Sequence, residues 1–485
     1  MPQTDDPARP APPPVTPAVS PAAAGRVGWA ALGDLTRYQW FVFAVAAIAW
    51  MADCMDQQLF SLARVGAMKD LTGGDAKSVT TYATVSTSVF LIGWAAGGLV
   101  FGMFGDRLGR VRTLTLTILL YSIFTGLSAA SVGVVDFCAY RFLTGLGVGG
   151  VFSAAVALLA ETMPAAARPY TLGLMQALSA VGNCTAALVF IALGLLQLNG
   201  YLEPLKPLNA WRLMFLVGIV PAALVIFIQR RLEEPASWRQ ARDAAAAGTG
   251  KRLGSYADLF GEGWIRRHAL LGMVLSFAGV VGLWGIGFFS YDLQQTILPP
   301  TLHGEADQLG LTGELRSHYI AGQTIIWTGI TSLMLNIGAF FGMSAFSTIT
   351  QWLGRRPTFA IFFLLSGLTT GGLFMFMRTR ADILWMTPLM GFCLLSLFGG
   401  YAIYLPELFP TRLRSTGTSF CYNVGRFVAA SGPLALGYLT NSVFAKEKGF
   451  AEPHRYAGVA MCAVFLLGIA VLPFLPETKG RPLPE

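Results

Sequence analysis

The chain has 485 residues, of which 54% are hydrophobic and only 12% are charged, and its mean hydropathy is +0.57. A sequence this apolar cannot cover a water-soluble domain with polar groups, so it indicates an integral membrane protein. The net charge of +8 would fit nucleic-acid binding, but membrane proteins gather Lys and Arg in their cytoplasmic loops. We therefore expect a lipid bilayer and no nucleic acid as partner.

The N-terminal residues 1–37 are rich in Pro and Ala and lack the apolar core of a signal peptide. We expect them to form a disordered cytoplasmic tail. The central loop and the short loops around Arg107, Arg355 and Arg412 are rich in Lys and Arg. The positive-inside rule then places both termini in the cytoplasm, and we expect the bacterial inner membrane.

Apolar runs long enough to cross a bilayer as helices recur along the rest of the chain. They predict an all-α membrane protein with twelve transmembrane helices. The approximate spans are 40–62, 80–104, 113–133, 136–160, 170–196, 211–229, 269–291, 320–347, 358–377, 382–405, 416–440 and 457–475.

The first span contains an unusual polar stretch, WMADCMDQQLF, at Trp50–Phe60. An acid at the centre of a membrane helix costs about 2.5–3.5 kcal/mol on insertion scales, so intramembrane acids usually line a pathway or pair with a cation. Asp53 and Asp56 are three residues apart and are expected on one helix face. With Gln57 and Gln58 they predict a polar stripe at the coupling and substrate end of a transporter.

Two loop patterns occur twice in the chain, at nearly the same separation. LGRVRT at 108–113 returns as LGRRPT at 353–358, and Glu161, Pro164 and Arg168 return as Glu407, Pro410 and Arg414. This repetition predicts a duplication of six spans, with a binding site between the halves near the midplane. We place the halves at 38–232 and 268–476, the central loop at 233–267 and a cytoplasmic tail at 477–485.

These patterns resemble the major facilitator superfamily of secondary transporters. Its loop signature after the second span is matched at Gly102, Asp106, Arg107, Gly109, Arg110 and Arg112, and its fourth-span signature at Arg141, Gly145 and Gly149. PELFPTRLRSTG and PETKGRPLP resemble the sugar-porter and organic-acid branches. The resemblance implies two six-helix halves that work by alternating access.

Within that superfamily, Asp53-Cys-Met-Asp56 is similar to the D-G-x-D of proton symporters for aromatic acids, with Cys54 in place of Gly. YNVGR at 422–426 resembles the sialate and monocarboxylate symporters. The second loop signature has Gln351 where the first has Asp106, so a gating role does not extend to that copy.

Asp53, Asp56 and Arg141 are the candidates for proton coupling. A buried carboxyl whose distance from a cation changes can couple proton binding to a conformational change. The resemblance implies contact between Arg141 and an acid of the first span, and it favours Asp56. The alternative is a permanent salt bridge that holds spans one and four together.

Arg426 is the second buried cation and could bind an anionic substrate, since its planar group binds carboxylate in a bidentate manner. The alternative is that it pairs with Asp292 or extends toward the interface. Other polar or aromatic residues could line the pathway or simply join helices: Gln57, Gln58, Asn183, Trp284, Gln323, Asn336, Tyr422 and Asn423.

The loop signatures are interpreted as gates. Asp106 could offer its charge to the N-terminus of a helix in the other half, and Arg110 could pair with Glu161. Arg355 or Arg356 is the corresponding partner for Glu407. The other gating candidates are Gly102, Arg107, Gly109, Arg112, Arg168 and Arg414. Positive-inside anchoring is the alternative for the arginines, but it does not explain Asp106 or Glu161.

No nucleotide, metalloprotease or esterase motif is present, and GLGVGG at 145–150 lies in a span instead of a βαβ unit. The six cysteines lack CxxC spacing and predict apolar packing. We therefore expect no cofactor, no metal and no enzyme activity. The predicted function is proton-coupled symport of a small organic anion by a monomer. A carrier of a neutral sugar or polyol and a drug or cation efflux pump are the alternatives.

Overall fold

A computed structural model of the chain describes residues 28–223, 231–287, 289–429, 431–444, 449 and 452–485. Within these ranges every regular element is a helix, which agrees with the predicted fold class. Residues 1–27, which make up most of the predicted disordered tail, lie outside the described part of the chain.

The first half contains six helices that follow one another through short loops. They are α1 (Arg37–Leu71), α2 (Ala76–Arg107), α3 (Arg110–Ser128), α4 (Val134–Thr162), α5 (Arg168–Leu198) and α6 (Ala210–Val217). α6 is short and continues as a 3-10 turn at Val220–Ala223, where Pro221 lacks the N–H that an α-helix would use.

The second half repeats this order. Its helices are α7 (Gly263–Val280), α8 (Gly313–Leu353), α9 (Arg355–Phe376), α10 (Arg380–Tyr404), α11 (Arg414–Ala429) and α12 (Pro453–Phe474). α7 continues as a π-helical turn at Val281–Gly287 and is followed by the helix Phe289–Gln308. A short helix, Gly432–Tyr438, follows α11.

Ten helices in the described residues are long and apolar enough to cross a membrane. The remaining two predicted spans, six and eleven, are interrupted: α6 ends before the 3-10 turn, and α11 ends before Gly432 and Pro433. Both interruptions fall at or beside a proline, which cannot continue the hydrogen-bond ladder.

Two predicted boundaries move, and the predicted central loop contains helices. Gly28–Asp34 forms a 3-10 helix in which Trp29 donates from Nε1 to Thr348 Oγ1 at 2.9 Å, so the tail does not extend to residue 37 as a disordered segment. The central loop contains the helices Ala236–Ala246 and Tyr256–Gly261. α7 begins at Gly263, five residues before the predicted start of the second half at 268.

Close helix packing inside each half depends on glycine. A Cβ on Gly149 of α4 would lie 2.3 Å from the backbone of α2, and one on Gly342 of α8 would lie 2.0 Å from the carbonyl oxygen of Phe392 in α10. Only a residue without a side chain allows such an approach. The two halves meet along α2 with α11 and along α5 with α8.

Candidate functional site

A cavity lies between the two halves, with α1, α2 and α5 on one side and α7, α8, α10 and α11 on the other. It is lined by Trp50, Cys54, Gln57, Gln58, Ser61, Trp94, Gln176, Ser179, Asn183, Leu283, Trp284, Gly287, Leu335, Asn336, Leu395, Phe398, Tyr422 and Arg426. Aromatic and amide side chains dominate this lining. The cavity therefore combines apolar walls with a few polar groups, as small-molecule sites do.

The face of α1 that meets the cavity differs from the predicted one. The lining residues of α1 include Trp50, Cys54, Gln57 and Ser61, which follow each other at spacings of four, three and four and so form one stripe. Asp53 and Asp56 each precede a stripe residue by one position, which rotates them by about 100° away from it. Among the described residues, neither acid is part of the cavity lining.

Asp53 is fully buried next to this stripe. Its Oδ2 accepts a hydrogen bond from Gln57 Nε2 at 2.8 Å, and its Oδ1 has no hydrogen-bond partner within the described part of the chain. Because Gln57 itself lines the cavity, Asp53 is separated from the cavity by a single side chain.

Asp56 and Arg141 are both fully buried inside the first half, but they are not joined by a hydrogen bond. Both oxygens of Asp56 and Nη1 of Arg141 lack a partner among the described residues. The expected contact between the two is therefore not formed, although Arg141 is near enough to act on Asp56 electrostatically.

Other groups hold the guanidinium of Arg141. Ser128 Oγ accepts from its Nη2 at 2.6 Å and from its Nε at 3.0 Å. The rings of Phe60, Phe137 and Phe215 lie 4.7–5.9 Å from its central carbon, within the range of cation–π attraction. These contacts draw Arg141 away from an ion pair with Asp56.

Arg426 lies in the cavity wall, and two aromatic rings lie close to its guanidinium. The ring centroids of Trp94 and Tyr422 are 4.0 and 4.3 Å from its central carbon. Nη1 donates to the carbonyl oxygen of Tyr422 and, at 3.2 Å, to Asn423 Oδ1. Nε and Nη2 have no partner among the described residues. The structure thus presents a buried cation with two donors available on one edge.

Amide side chains form the opposite side of the cavity. Asn183 of α5 donates to Asn336 Oδ1 of α8 at 2.8 Å, and Gln58 of α1 donates to Ser332 Oγ at 2.9 Å. Both bonds join the two halves. Trp284 packs edge-on against Trp94, with ring centroids 5.3 Å apart.

Two of the predicted substrate residues, Asn423 and Gln323, are not among the described cavity-lining residues. Asn423 is buried behind Arg426 and also donates to Ser419 of α11. Gln323 lies in α8 but is not among the described cavity-lining residues. The side chain of Asp292 lies outside the described part of the chain, so its predicted role in substrate binding, and its alternative pairing with Arg426, stay predictions.

Asp106 of α2 binds the N-terminus of α11 in the other half. Its carboxylate accepts from the backbone N–H groups of Ser415 and Thr416 at 3.2 and 2.8 Å and from Thr416 Oγ1 at 2.6 Å. It is fully buried and lies 3.0 Å from Arg110. The structure thus brings Asp106 to a helix N-terminus of the opposite half, as the sequence predicts.

Glu161 connects the two halves at the same end of the molecule. It lies 2.8 Å from Arg110 of α3 and 2.9 Å from Arg414 of α11. Arg110 also donates to the carbonyl oxygen of Thr411 at 2.8 Å. In the second half Arg355, and not Arg356, pairs with Glu407 at 2.9 Å. We refer to the end defined by Asp106, Arg110, Glu161, Arg355, Glu407 and Arg414 as the closed end.

The remaining gating candidates surround this network. Gly102 packs against Ser419 of α11, Arg107 donates to Gly254 O at 3.1 Å, and Arg168 donates to Met163 O at 3.4 Å. Gly109 has a positive φ of 111° and precedes α3. The backbone N–H groups of Arg112 and Arg356 are bound by Glu234 and Glu477 respectively.

Glu234 and Glu477 are functional candidates that the sequence reasoning missed. Glu234 accepts from the first three N–H groups of α3, and Glu477 accepts from those of Arg355 and Arg356 in α9. Carboxylates are favourable at helix N-termini. Burial raises the pKa of Glu234, while the three N–H groups act against that shift. The two glutamates occupy matching positions, one after span six and one after span twelve, and this match in the sequence could have identified them.

Within the described residues no group of three or more His, Cys, Asp or Glu side chains is arranged to hold a metal ion. The cavity residues Trp50, Trp94 and Gln176 were not singled out from the sequence. Each lies in an apolar span where only the packing of the halves distinguishes the cavity face from the lipid face.

Comparison with known proteins supports the same architecture. The family described as Sugar (and other) transporter matches residues 29–255. The cis,cis-muconate transport protein of Acinetobacter baylyi is 29% identical over 442 residues, covering 91% of this chain and 95% of that protein. The niacin transporter NiaP of the same organism is 25% identical over 479 residues, covering 92% and 96%.

Among solved structures, the MFS proton:xylose symporter XylE bound to 6-bromo-6-deoxy-D-glucose superimposes with a TM-score of 0.66. It shares 17% sequence identity and covers 92% of this chain and 98% of its own. This likeness confirms the fold that the sequence predicts. The two six-helix halves thus form the fold of the major facilitator transporters, and over nearly its whole length the chain is similar to transport proteins of nearly equal size.

Proposed function

We propose that this protein is a proton-coupled symporter that carries a small organic anion, such as a carboxylate, across the membrane by alternating access. The observation that carries this proposal is Arg426. It is a fully buried cation in the central cavity, and its Nε and Nη2 have no partner among the described residues. Burying such a charge is costly unless an anion pairs with it.

The names of the relatives agree with this substrate class. Muconate and niacin, which the two named relatives carry, are both small organic acids. For this chain the carboxylate would bind to the free edge of Arg426, because a planar guanidinium binds carboxylate with two parallel hydrogen bonds.

The proton-coupling part of the proposal rests on Asp53 and Asp56. Both are fully buried in a membrane helix, and each has at least one oxygen without a hydrogen-bond partner in the described residues. An ionised carboxylate in such surroundings is costly, which makes these acids candidates for carrying a proton. Arg141 would act on Asp56 electrostatically without a direct bond, while Asp53 would reach the cavity through Gln57.

The closed end would be the cytoplasmic gate. Asp106 and Glu161 bind groups of the other half, so these contacts must break when the cavity opens on that side. We further propose that both termini lie in the cytoplasm and that the monomer in the inner membrane is the functional unit.

The substrate assignment is tested with purified protein in proteoliposomes. Arg426→Lys keeps the charge but loses the planar fork, and we expect its affinity for benzoate in counterflow to fall by about tenfold or more. Arg378→Lys is the matched control, because Arg378 forms an exposed pair with Glu452. Unchanged benzoate affinity in Arg426→Lys and in Arg426→Ala would remove the anion argument.

The coupling assignment is tested by Asp53→Asn and Asp56→Asn. A residue that carries the proton should lose pH-driven accumulation when it is neutralised, whereas counterflow, which needs no net proton movement, should continue. If both variants accumulate benzoate against its gradient as the wild type does, the proton role of these acids is refuted.

A neutral sugar carrier is the second candidate. The matched family and the xylose symporter point to it, and the amide groups of Gln57, Gln58, Gln176, Asn183 and Asn336 could bind hydroxyl groups. If D-xylose competes with benzoate for binding at equal concentration, this result favours the sugar carrier.

A further inference from the structure

The cavity has two chemically different ends. Where α2 meets α11, Arg426 presents Nε and Nη2 on one edge; we call this the cationic pole. Where α5 meets α8, Asn183 and Asn336 present neutral amides; we call this the amide pole. Aromatic walls, which include Trp50, Trp284 and Phe398, lie along the same cavity.

The charge in this lining is a single positive one. Among the described residues that line the cavity, Arg426 carries the only full charge, and the other polar groups are amides, hydroxyls, indoles and a thiol. Asp53 and Asp56 are buried behind the lining, and Arg141 is held by Ser128. A ligand that fills the cavity therefore meets one cation and no second one.

The position of the guanidinium also restricts the ligand. The ring centroids of Trp94 and Tyr422 lie 4.0 and 4.3 Å from its central carbon, and Nη1 already donates to the carbonyl oxygen of Tyr422 and to Asn423 Oδ1. Only the edge formed by Nε and Nη2 remains, and its two N–H groups match the two oxygens of one carboxylate. That carboxylate would lie in the plane of the guanidinium, beside the aromatic walls.

From this geometry we propose that the site selects a planar monocarboxylate whose far end is neutral and forms hydrogen bonds, and that it discriminates against dicarboxylates. This inference rests on the proposed function and specifies its substrate class. One carboxylate is bound at the cationic pole, the flat body lies between aromatic side chains, and a neutral ester, hydroxyl or ring nitrogen contacts the amide pole. A second carboxylate would be buried at the amide pole with no cation to balance it.

Three ligands of graded charge test this inference on the purified full-length protein at pH 7.5. They are benzoate, monomethyl terephthalate and terephthalate, and calorimetry gives the affinity of each. The monoester has nearly the length and bulk of the diacid but one negative charge fewer. We expect the monoester to bind at least about tenfold more tightly than terephthalate, since an unpaired buried charge is penalised.

The outcomes separate this inference from the proposed function. Terephthalate binding as tightly as its monoester would overturn the single-charge inference and leave organic-anion transport standing. Binding of benzoate with exclusion of both para-substituted ligands would also overturn it, because a neutral group must be accepted at the amide pole. If no carboxylate binds and D-xylose does, the proposed function itself fails.

A variant provides an independent measurement. Asn336→Arg places a second cation at the amide pole, and we expect it to raise the ratio of terephthalate to monoester affinity by at least about tenfold. Asn336→Gln is the matched control, because it keeps the amide and adds length without charge. An unchanged ratio in the folded Asn336→Arg protein would place the far end of the ligand away from the amide pole and overturn the inference.

Discussion

The contact between Asp106 and α11 allows a quantitative prediction about the closed end. Asp106→Asn removes the charge that binds two backbone N–H groups and Thr416 Oγ1, and it leaves Arg110 with one partner fewer. Hydrogen bonds to a charged group contribute about 1.5–3 kcal/mol each and neutral ones about 0.5–1.5 kcal/mol. Because asparagine keeps part of this bonding, we estimate a loss of about 2–4 kcal/mol.

This loss falls on one conformation. Ser415 and Thr416 belong to the opposite half, so their bonds to Asp106 exist only while the closed end is closed. Since every 1.4 kcal/mol is a factor of ten, the equilibrium should shift toward the open form by about 30-fold to 1,000-fold.

The shift can be measured as a distance between the halves. Spin labels are attached to cysteines introduced at Leu108 and Trp352, whose side chains are 42% and 74% exposed, in a background without native cysteines. Pulsed electron resonance should show a longer distance in Asp106→Asn. Asp75→Asn is the matched control, because Asp75 caps α2 within the same half by accepting from Ser78 N at 2.8 Å. An unchanged distance distribution, or an equal change in the control, would refute the reasoning.

Two further predictions concern the closed end and the cavity wall. Burial alone would raise the pKa of Glu477, but the N–H groups of Arg355, Lys479 and Arg356 and the charge of Arg355 hold it below its ordinary value of 4.5. Its contribution to stability is therefore present above about pH 4.5 and is lost as the pH falls through the lowered pKa. The melting temperature of Glu477→Gln in detergent should lie below that of the wild type at pH 7 and approach it in acid; a constant difference would contradict this assignment. Gly98→Ala places a Cβ 2.3 Å from the side chain of Asn423 in the other half. We therefore expect a longer spin-label distance between the halves and, by calorimetry, weaker benzoate binding. Unchanged values in both measurements would show that this contact adapts freely.

The charged loops could be predicted from the sequence because their chemistry leaves few alternatives. Asp106 and Glu161 are acids among basic residues at helix ends, and each needs a partner that lies within reach of its own loop or of the repeated loop in the other half. The sequence repeat located Arg355 and Glu407 in the same way. The structure brings all of these together with N–O distances of about 3 Å.

The cavity could not be predicted in the same way. Residues 40–52 of α1 are all apolar, so hydrophobic periodicity there does not distinguish the face toward lipid from the face toward the other half. The two acids are the most costly residues to bury in this span, yet Trp50, Gln57 and Gln58 line the cavity, and neither Asp53 nor Asp56 is among its described lining residues. Trp94 was missed because its role as a ring beside Arg426 exists only once two distant helices meet.

The pairing of α2 with α11 connects the proposed gate with the proposed substrate site. Asp106 and Trp94 lie on α2 about 18 Å apart along the axis, and Thr416 and Arg426 lie on α11 about 15 Å apart at a rise of 1.5 Å per residue. The contact of Asp106 with Thr416 and the contact of Trp94 with Arg426 therefore lie at the two ends of the α2–α11 pair. Rigid helices cannot separate at one end without changing the angle at the other, so a carboxylate bound to Arg426 would act on the same helix pair that Asp106 holds together. We expect Asp106→Asn and Trp94→Ala to be non-additive in the distance measurement, whereas independent effects would show that gate and site are not connected through these helices.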